Sequence, residues 1–133
     1  MTSLVLDTHA AIWYLAGDPR LSPHALRTIR EAASQAKRCF VPSICLVEAT
    51  YLVEKNRISS PDFDSLRDAL SFGTGNLIIA PLDFTVCQAI RLIPRAEVPD
   101  LPDRVIAATA IALGLPLIAR DGKIRATGIE TIW

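Results

Sequence analysis

Ser3-Leu4-Val5-Leu6-Asp7-Thr8-His9-Ala10-Ala11-Ile12-Trp13-Tyr14-Leu15-Ala16 is the stretch that decides the fold. It opens as a short apolar run that stops at Asp7, then spaces Ile12, Trp13, Leu15 and Ala16 as a helix does, so it reads as strand followed by helix. The pattern recurs down the chain. Cys39 to Val41 is a second short strand, after which Ser43 caps a helix through Ile44, Leu46, Val47, Thr50 and Leu52. Leu77 to Ala80 is a third strand, followed by Asp83 as the N-cap of a helix that ends before Pro94. Leu117 to Ala119 and Ile129 to Trp133 are the fourth and fifth, with Gly122 and Gly128 marking the turns between them. Cap-proline pairs at Ser22-Pro23 and Ser60-Pro61 open two more helices, one to about Lys37 and one ending near Gly73-Thr74-Gly75. Asp100 stands three residues before Asp103, the spacing of a capping box, and opens a helix through Pro102 to Leu113 that Gly114 ends. Helix separates nearly every pair of strands, and the strands are continuously apolar instead of alternating. This predicts the α/β class, a three-layer sandwich with a central parallel sheet of four to five strands.

At 133 residues the chain is one domain, long enough for a core that needs neither disulfides nor a structural metal. Half of it is apolar and 21% is charged, which excludes intrinsic disorder. Fourteen Lys and Arg balance fourteen Asp and Glu, so the surface is not that of a protein that coats nucleic acid by bulk charge; a polyanion has to be held by local groups. Cys39, Cys45 and Cys87 form no C-x-x-C pair, and no basic, apolar leader follows Met1, which predicts a cytoplasmic protein. The longest apolar run, Val105 to Ala119, is interrupted by Gly114 and Pro116 and is too short for a membrane span.

In an open α/β sheet, ligands gather beyond the carboxyl ends of the strands. Asp7 closes the first strand and Asp121 follows the fourth. Glu48 lies one to two turns into the helix after the second strand, among the apolar residues Ile44, Leu46 and Val47, and Asp103 lies in the first turn of the helix leading to the fourth strand. Each acid has a structural explanation of its own. Asp7 could cap the helix that starts at Thr8, Asp103 could complete the capping box, Asp121 could form a turn with Gly122, and Glu48 could reach solvent or pair with Lys55 or Arg20. Together they are harder to explain structurally. Two carboxylates about 4 Å apart repel by roughly 4 kcal/mol at an effective dielectric of 20, so a cluster must be neutralised by protons, by a buried Arg or Lys, or by a divalent cation. With oxygen ligands and no Cys or His cluster, Mg²⁺ or Mn²⁺ fits and zinc does not. The reaction class this suggests is metal-assisted phosphodiester hydrolysis.

Leu4-Val5-Leu6-Asp7-Thr8-His9, Val41-Pro42-Ser43 with Glu48 five further on, Asp103-Arg104-Val105-Ile106-Ala107-Ala108-Thr109-Ala110 and Ala119-Arg120-Asp121 resemble, in that order, the PIN domain. The whole chain from residue 3 is similar to the VapC toxins of type II toxin–antitoxin systems, including Asp18-Pro19-Arg20-Leu21-Ser22. The resemblance implies a PIN-like fold and a Mg²⁺- or Mn²⁺-dependent endoribonuclease with acids at Asp7, Glu48, Asp103 and Asp121. Asp7 and Asp103 would be the principal metal ligands, Asp121 would complete the site, and Glu48 would bind or polarise the attacking water. Thr8 would hydrogen-bond a ligating carboxylate or a water on the metal. Asp100 is the alternative to Asp103 in the same loop, and Asp103 is preferred because the apolar pattern aligns directly behind it. The chain departs from many relatives in Ala119, which leaves no hydroxyl before the Arg-Asp pair. His9 follows the acid at a helix start with no second histidine placed to assist, a weak case for a general base.

Holding RNA needs cations along its track, and Arg104 and Arg120, adjacent to proposed ligands, are the expected phosphate contacts, with Arg20, Arg27, Arg30, Lys37 and Arg38 available to extend the track. The resemblance also implies partners: a second copy of the chain in a homodimer, and a VapB-like antitoxin in a toxin–antitoxin hetero-oligomer. The antitoxin groove is expected near Trp13, Tyr14, Leu46 and Tyr51. Other acid-at-strand-end classes fit less well. A phosphoryl-accepting regulator needs an aspartate where Pro81 stands, a haloacid-type phosphatase begins D-x-D where His9 stands, and no Gly-rich turn for a dinucleotide follows the first strand. The non-enzymatic alternative is a degenerate PIN-like module that binds RNA or protein without cutting.

Overall fold

A computed structural model describes residues 2–125 and 127–133. Its strands are β1 (Leu4–Leu6), β2 (Cys39–Pro42), β3 (Leu77–Ala80), β4 (Leu117–Ile118) and β5 (Thr131–Ile132), all parallel, in the order β3-β2-β1-β4-β5. Among the described residues seven helices flank this sheet: α1 (Thr8–Ala16), α2 (Pro23–Ser34), α3 (Ile44–Glu54), α4 (Ser60–Phe72), α5 (Phe84–Ala89), α6 (Leu101–Leu113) and α7 (Gly122–Arg125). The expected α/β sandwich is therefore present, with five strands. β1 lies at its centre and is fully buried, which is why Leu4, Val5 and Leu6 are apolar on both faces.

The order of strands positions the site. From β1 the chain moves to β2 on one side, whereas β4 pairs with β1 on the other, with Val5 opposite Leu117 and Leu6 opposite Ile118. The sheet thus reverses direction of winding between β1 and β4, and the crevice beyond their carboxyl ends is where such folds bind ligands. Asp7 leaves β1 into it, and Ala119-Arg120-Asp121 leaves β4 into it.

Local chemistry explains most helix ends. Ser22 accepts from the Ala25 amide at 3.0 Å, with Pro23 in the first turn, and Asp83 accepts from Val86 at 2.9 Å. Gly114 ends α6 at φ 66°, a left-handed conformation that a side chain would strain. Two caps differ from expectation. Ser43 has helical backbone angles, so its hydroxyl cannot turn back onto α3; it accepts from the Leu82 amide at 3.1 Å and ties two loops together. The cap of α4 is Ser59, accepting from Asp62, which moves Pro61 to the second helical position. β2 runs one residue past Val41 to Pro42, while β4 and β5 are each shorter than their apolar runs. Among the described residues no helix is long and apolar enough to cross a membrane, and all three cysteines are free thiols.

Candidate active site

Asp7 serves two purposes. One carboxylate oxygen accepts from the Ala10 amide at 2.8 Å and caps α1, while the side chain also lines a cleft of ≈ 490 Å³ beyond β1 and β4. Asp121 is similar: its Oδ1 accepts from the Lys123 amide at 2.8 Å, closing the turn into α7, and the residue forms another part of the cleft wall. At the start of α6, Asp100 accepts from the Asp103 amide at 3.0 Å. Among the described residues no bond returns from Asp103 to the Asp100 amide, so the box is half-closed and the Asp103 carboxylate is free to face the cleft. Glu48 joins it from α3, half-buried.

All four sequence-nominated acids therefore meet in one cleft, and Asp100 stands with them. Glu48, Asp100 and Asp103 can each offer a carboxylate oxygen within 4.8 Å of the others. Asp100 and Asp103, the alternatives posed by the sequence, both line the cleft, because α6 starts there and presents both its cap and its first turn to it.

The electrostatics follow from this crowding. Burial pushes the Asp7 carboxyl up to about 7, against the Ala10 hydrogen bond, with Glu48 and Asp121 pushing further up and Arg120 opposing them. Burial likewise pushes Asp103 up to about 7, reinforced by Asp100, Asp121 and Glu48 and by a hydrogen bond with the Asp121 carboxyl. The ion pairs found among the described residues, Arg20 with Asp18 and Arg67 with Asp64 and Asp68, include none of these acids. The cleft has a divalent-cation donor set: hard oxygens at short range and, among the described residues, no guanidinium ion-paired to them and no hydrogen-bond partner for the buried Thr8 hydroxyl at the wall. A buried orphan hydroxyl costs stability unless something bound there uses it.

The two arginines part company. Arg120 lines the cleft, exposed. Arg104, expected beside it, turns away: its Nη2 donates to the Ile90 and Ile93 carbonyls at 3.2 and 2.8 Å, at the end of the 3₁₀ turn that follows α5. One residue along a helix is a rotation of about 100°, so the neighbour of a cleft-facing Asp103 points elsewhere. His9 is on the wall, with burial lowering its pKa, Glu48 opposing and Arg20 and Arg120 reinforcing the drop.

Sequence reasoning missed the aromatic side of the cleft. Trp133 lines it beside Trp13, their ring centroids 6.0 Å apart. No local signal marks Trp133; its position depends on β5 joining β4 with Ile132 opposite Ile118.

Comparison with known proteins agrees with the geometry. The PIN domain family profile matches residues 4–130. Ribonuclease VapC22 of Mycobacterium tuberculosis is 32% identical over 127 residues, covering 94% of this chain and 92% of that protein. Among solved structures, VapBC2 from Rickettsia felis bound to a DNA fragment from their promoter superposes with a TM-score of 0.70 at 18% identity, over 98% of this chain and 97% of that one. DNA-bound VapBC from Salmonella typhimurium does so at 0.66 and 22%, over 98% and 97%.

Proposed function

The chain belongs to the PIN domain family, with a VapC ribonuclease among its relatives, and from that premise we propose that it is the toxin of a type II toxin–antitoxin system, a Mg²⁺- or Mn²⁺-dependent endoribonuclease. The observation that carries this reading is five carboxylates in one cleft with no ion pair to any of them among the described residues. Asp7, Asp103 and Asp121 would hold the ion, with Asp100 available to add a further oxygen. When bound, such an ion would shield the phosphate charge and lower the pKa of water. Glu48 accepts hydrogen bonds from the attacking water and orients it. The Thr8 hydroxyl, which has no partner among the described residues, would donate to a water held at the site, and Arg120 binds a phosphate of the RNA. Purified protein is expected to cut RNA with either ion and to stop in excess EDTA; cleavage that survives the chelator would overturn the metal dependence.

The arginines make a paired prediction. Arg120→Ala should weaken RNA binding and lower the slope of log affinity against log salt by about 0.7, the share of one single-strand phosphate contact. Arg104→Ala should leave that slope alone and lower stability in urea by about 1–3 kcal/mol, because the partly buried bond to the Ile93 carbonyl is lost and the Ile90 carbonyl keeps only the Ile93 amide. The opposite assignment of slope and stability loss would reverse their roles.

A homodimer and a VapB-like antitoxin belong to the same reading. What supports a protein partner is unpaired apolar surface: Tyr51 and Val47 on α3 are 59% and 53% exposed. Trp13 and Tyr14 line a groove with Leu21, Leu26 and Arg30 between the end of α1 and the start of α2, whereas Leu46 is half-buried against the core. The antitoxin segment is assigned to that groove, where it would also reach the cleft past Trp13.

A further inference from the structure

Both tryptophans of the chain stand at the cleft, and two arginines stand with them. Trp13 is 7% exposed and is the centre of the group. Trp133 packs edge-on against it, with 62° between the ring planes, and the His9 ring lies 5.3 Å from it. The guanidinium carbons of Arg20 and Arg120 lie 4.9 and 5.7 Å from its ring centroid. Arg20 is fixed further by Asp18 at 2.8 Å, yet its side chain is 64% exposed.

This arrangement solves a problem that the acids create. An arginine next to Asp121, at the edge of five carboxylates, would be expected to fold onto one of them and be neutralised. Among the described residues Arg120 makes neither an ion pair nor a hydrogen bond; an aromatic ring holds it instead. Attraction to a ring face leaves the N–H groups of a guanidinium unused. Arg120 is thus kept at the rim with its donors available, while Arg20 gives Nε and Nη2 to Asp18 and keeps its Nη1 group for a second phosphate, which suits a strand whose scissile bond lies over the acids. Trp13 is too deeply covered to take a base. Trp133 is only partly buried, its ring is part of the cleft lining, and its orientation is set by Trp13.

We propose that Trp133, Arg20 and Arg120 form a nucleotide subsite beside the acidic centre, where the Trp133 indole stacks on an RNA base and the two guanidinium groups hold the adjoining phosphates. Trp13 is the positioning residue that carries all three. The subsite rests on the reading of the cleft as an RNA-cutting centre and adds how the strand is held there. Stacking on an indole tolerates any base, so the subsite positions RNA without reading its sequence.

Because the chain has only these two tryptophans, its intrinsic fluorescence reports on the subsite directly. The probe is octaadenylate RNA, titrated with Ca²⁺ in place of Mg²⁺. The wild-type protein should show a saturable quench. Trp133→Phe should keep affinity within about threefold and lose most of the quench, whereas Trp133→Leu should bind about tenfold more weakly, a loss that appears in KM when cleavage is measured in Mg²⁺. Arg20→Ala should lower the salt slope by about 0.7. Trp133→Leu binding octaadenylate as tightly as the wild type, or binding by the wild type with unchanged fluorescence, would overturn the subsite alone if RNA is still cut. A wild-type protein that neither cuts RNA in Mg²⁺ nor binds octaadenylate would overturn the subsite and the nuclease reading together.

Discussion

Replacing Asp7 with Asn is expected to reduce RNA cleavage by about a thousandfold or more while leaving the protein folded, because several kcal/mol of charge stabilisation are lost from the chemistry and almost nothing from the scaffold. The choice of Asn matters. Asp7 uses Oδ1 to cap α1 through the Ala10 amide, and Asn is as good an N-cap as Asp, so this bond survives. Asp7→Ala would remove cap and ligand together and cost about 1 kcal/mol from the cap alone, which blurs the two roles. The Asn variant also removes one buried negative charge from a crowded cleft. Metal-free and at pH 8, it should melt no lower than the wild type, and added Mg²⁺ should raise its Tm less. Cleavage within tenfold of wild type would remove Asp7 from the mechanism whatever its position.

The acids were legible in the sequence because each stands beside a local signal. Asp7 ends an apolar run, Asp100 and Asp103 have cap spacing, Asp121 precedes Gly122, and Glu48 interrupts apolar neighbours on a helix. Their meeting in one crevice needed only the α/β alternation and the rule that binding occurs at carboxyl strand ends. What was not legible depended on side-chain direction or on long-range register. Arg104 was expected in the cleft from adjacency to Asp103, but adjacency on a helix separates directions, and two backbone carbonyls claim it. Ser43 was expected as a cap from residue type, whereas its helical φ/ψ gives its hydroxyl to Leu82. The Trp13–Trp133 contact spans nearly the whole chain and exists only because β5 adds outside β4. Composition and periodicity carry no trace of such a pairing.

The crowding of the acids should also be measurable without any RNA. Asp7 and Asp103 both have carboxyls raised from 3.8 to about 7 in the folded protein. Between those values the native state holds protons that the unfolded chain has released, so stability must fall as pH rises through that window. For Asp7 alone the shift corresponds to at most about 4 kcal/mol, which in a domain of this size is a decrease in Tm on the order of 10 °C. In EDTA, the Tm of the wild type should therefore fall from pH 5 to pH 8 relative to that of Asp7→Asn, and this difference isolates Asp7 from the surface carboxylates that both proteins share. A divalent cation replaces the protons. At pH 8 the acids are ionised and ready to bind, whereas at pH 5 the ion must first displace protons, so Mg²⁺ should raise the wild-type Tm more at pH 8 than at pH 5. At a hundredfold excess over Kd the gain is about 2.7 kcal/mol, comparable to what ionisation removed. Equal Mg²⁺ shifts at both pH values, or a wild-type Tm that tracks the Asn variant across the window, would mean that the carboxylates do not share one field. The case for an ion among them would then fail on thermodynamic grounds, independently of any nuclease assay.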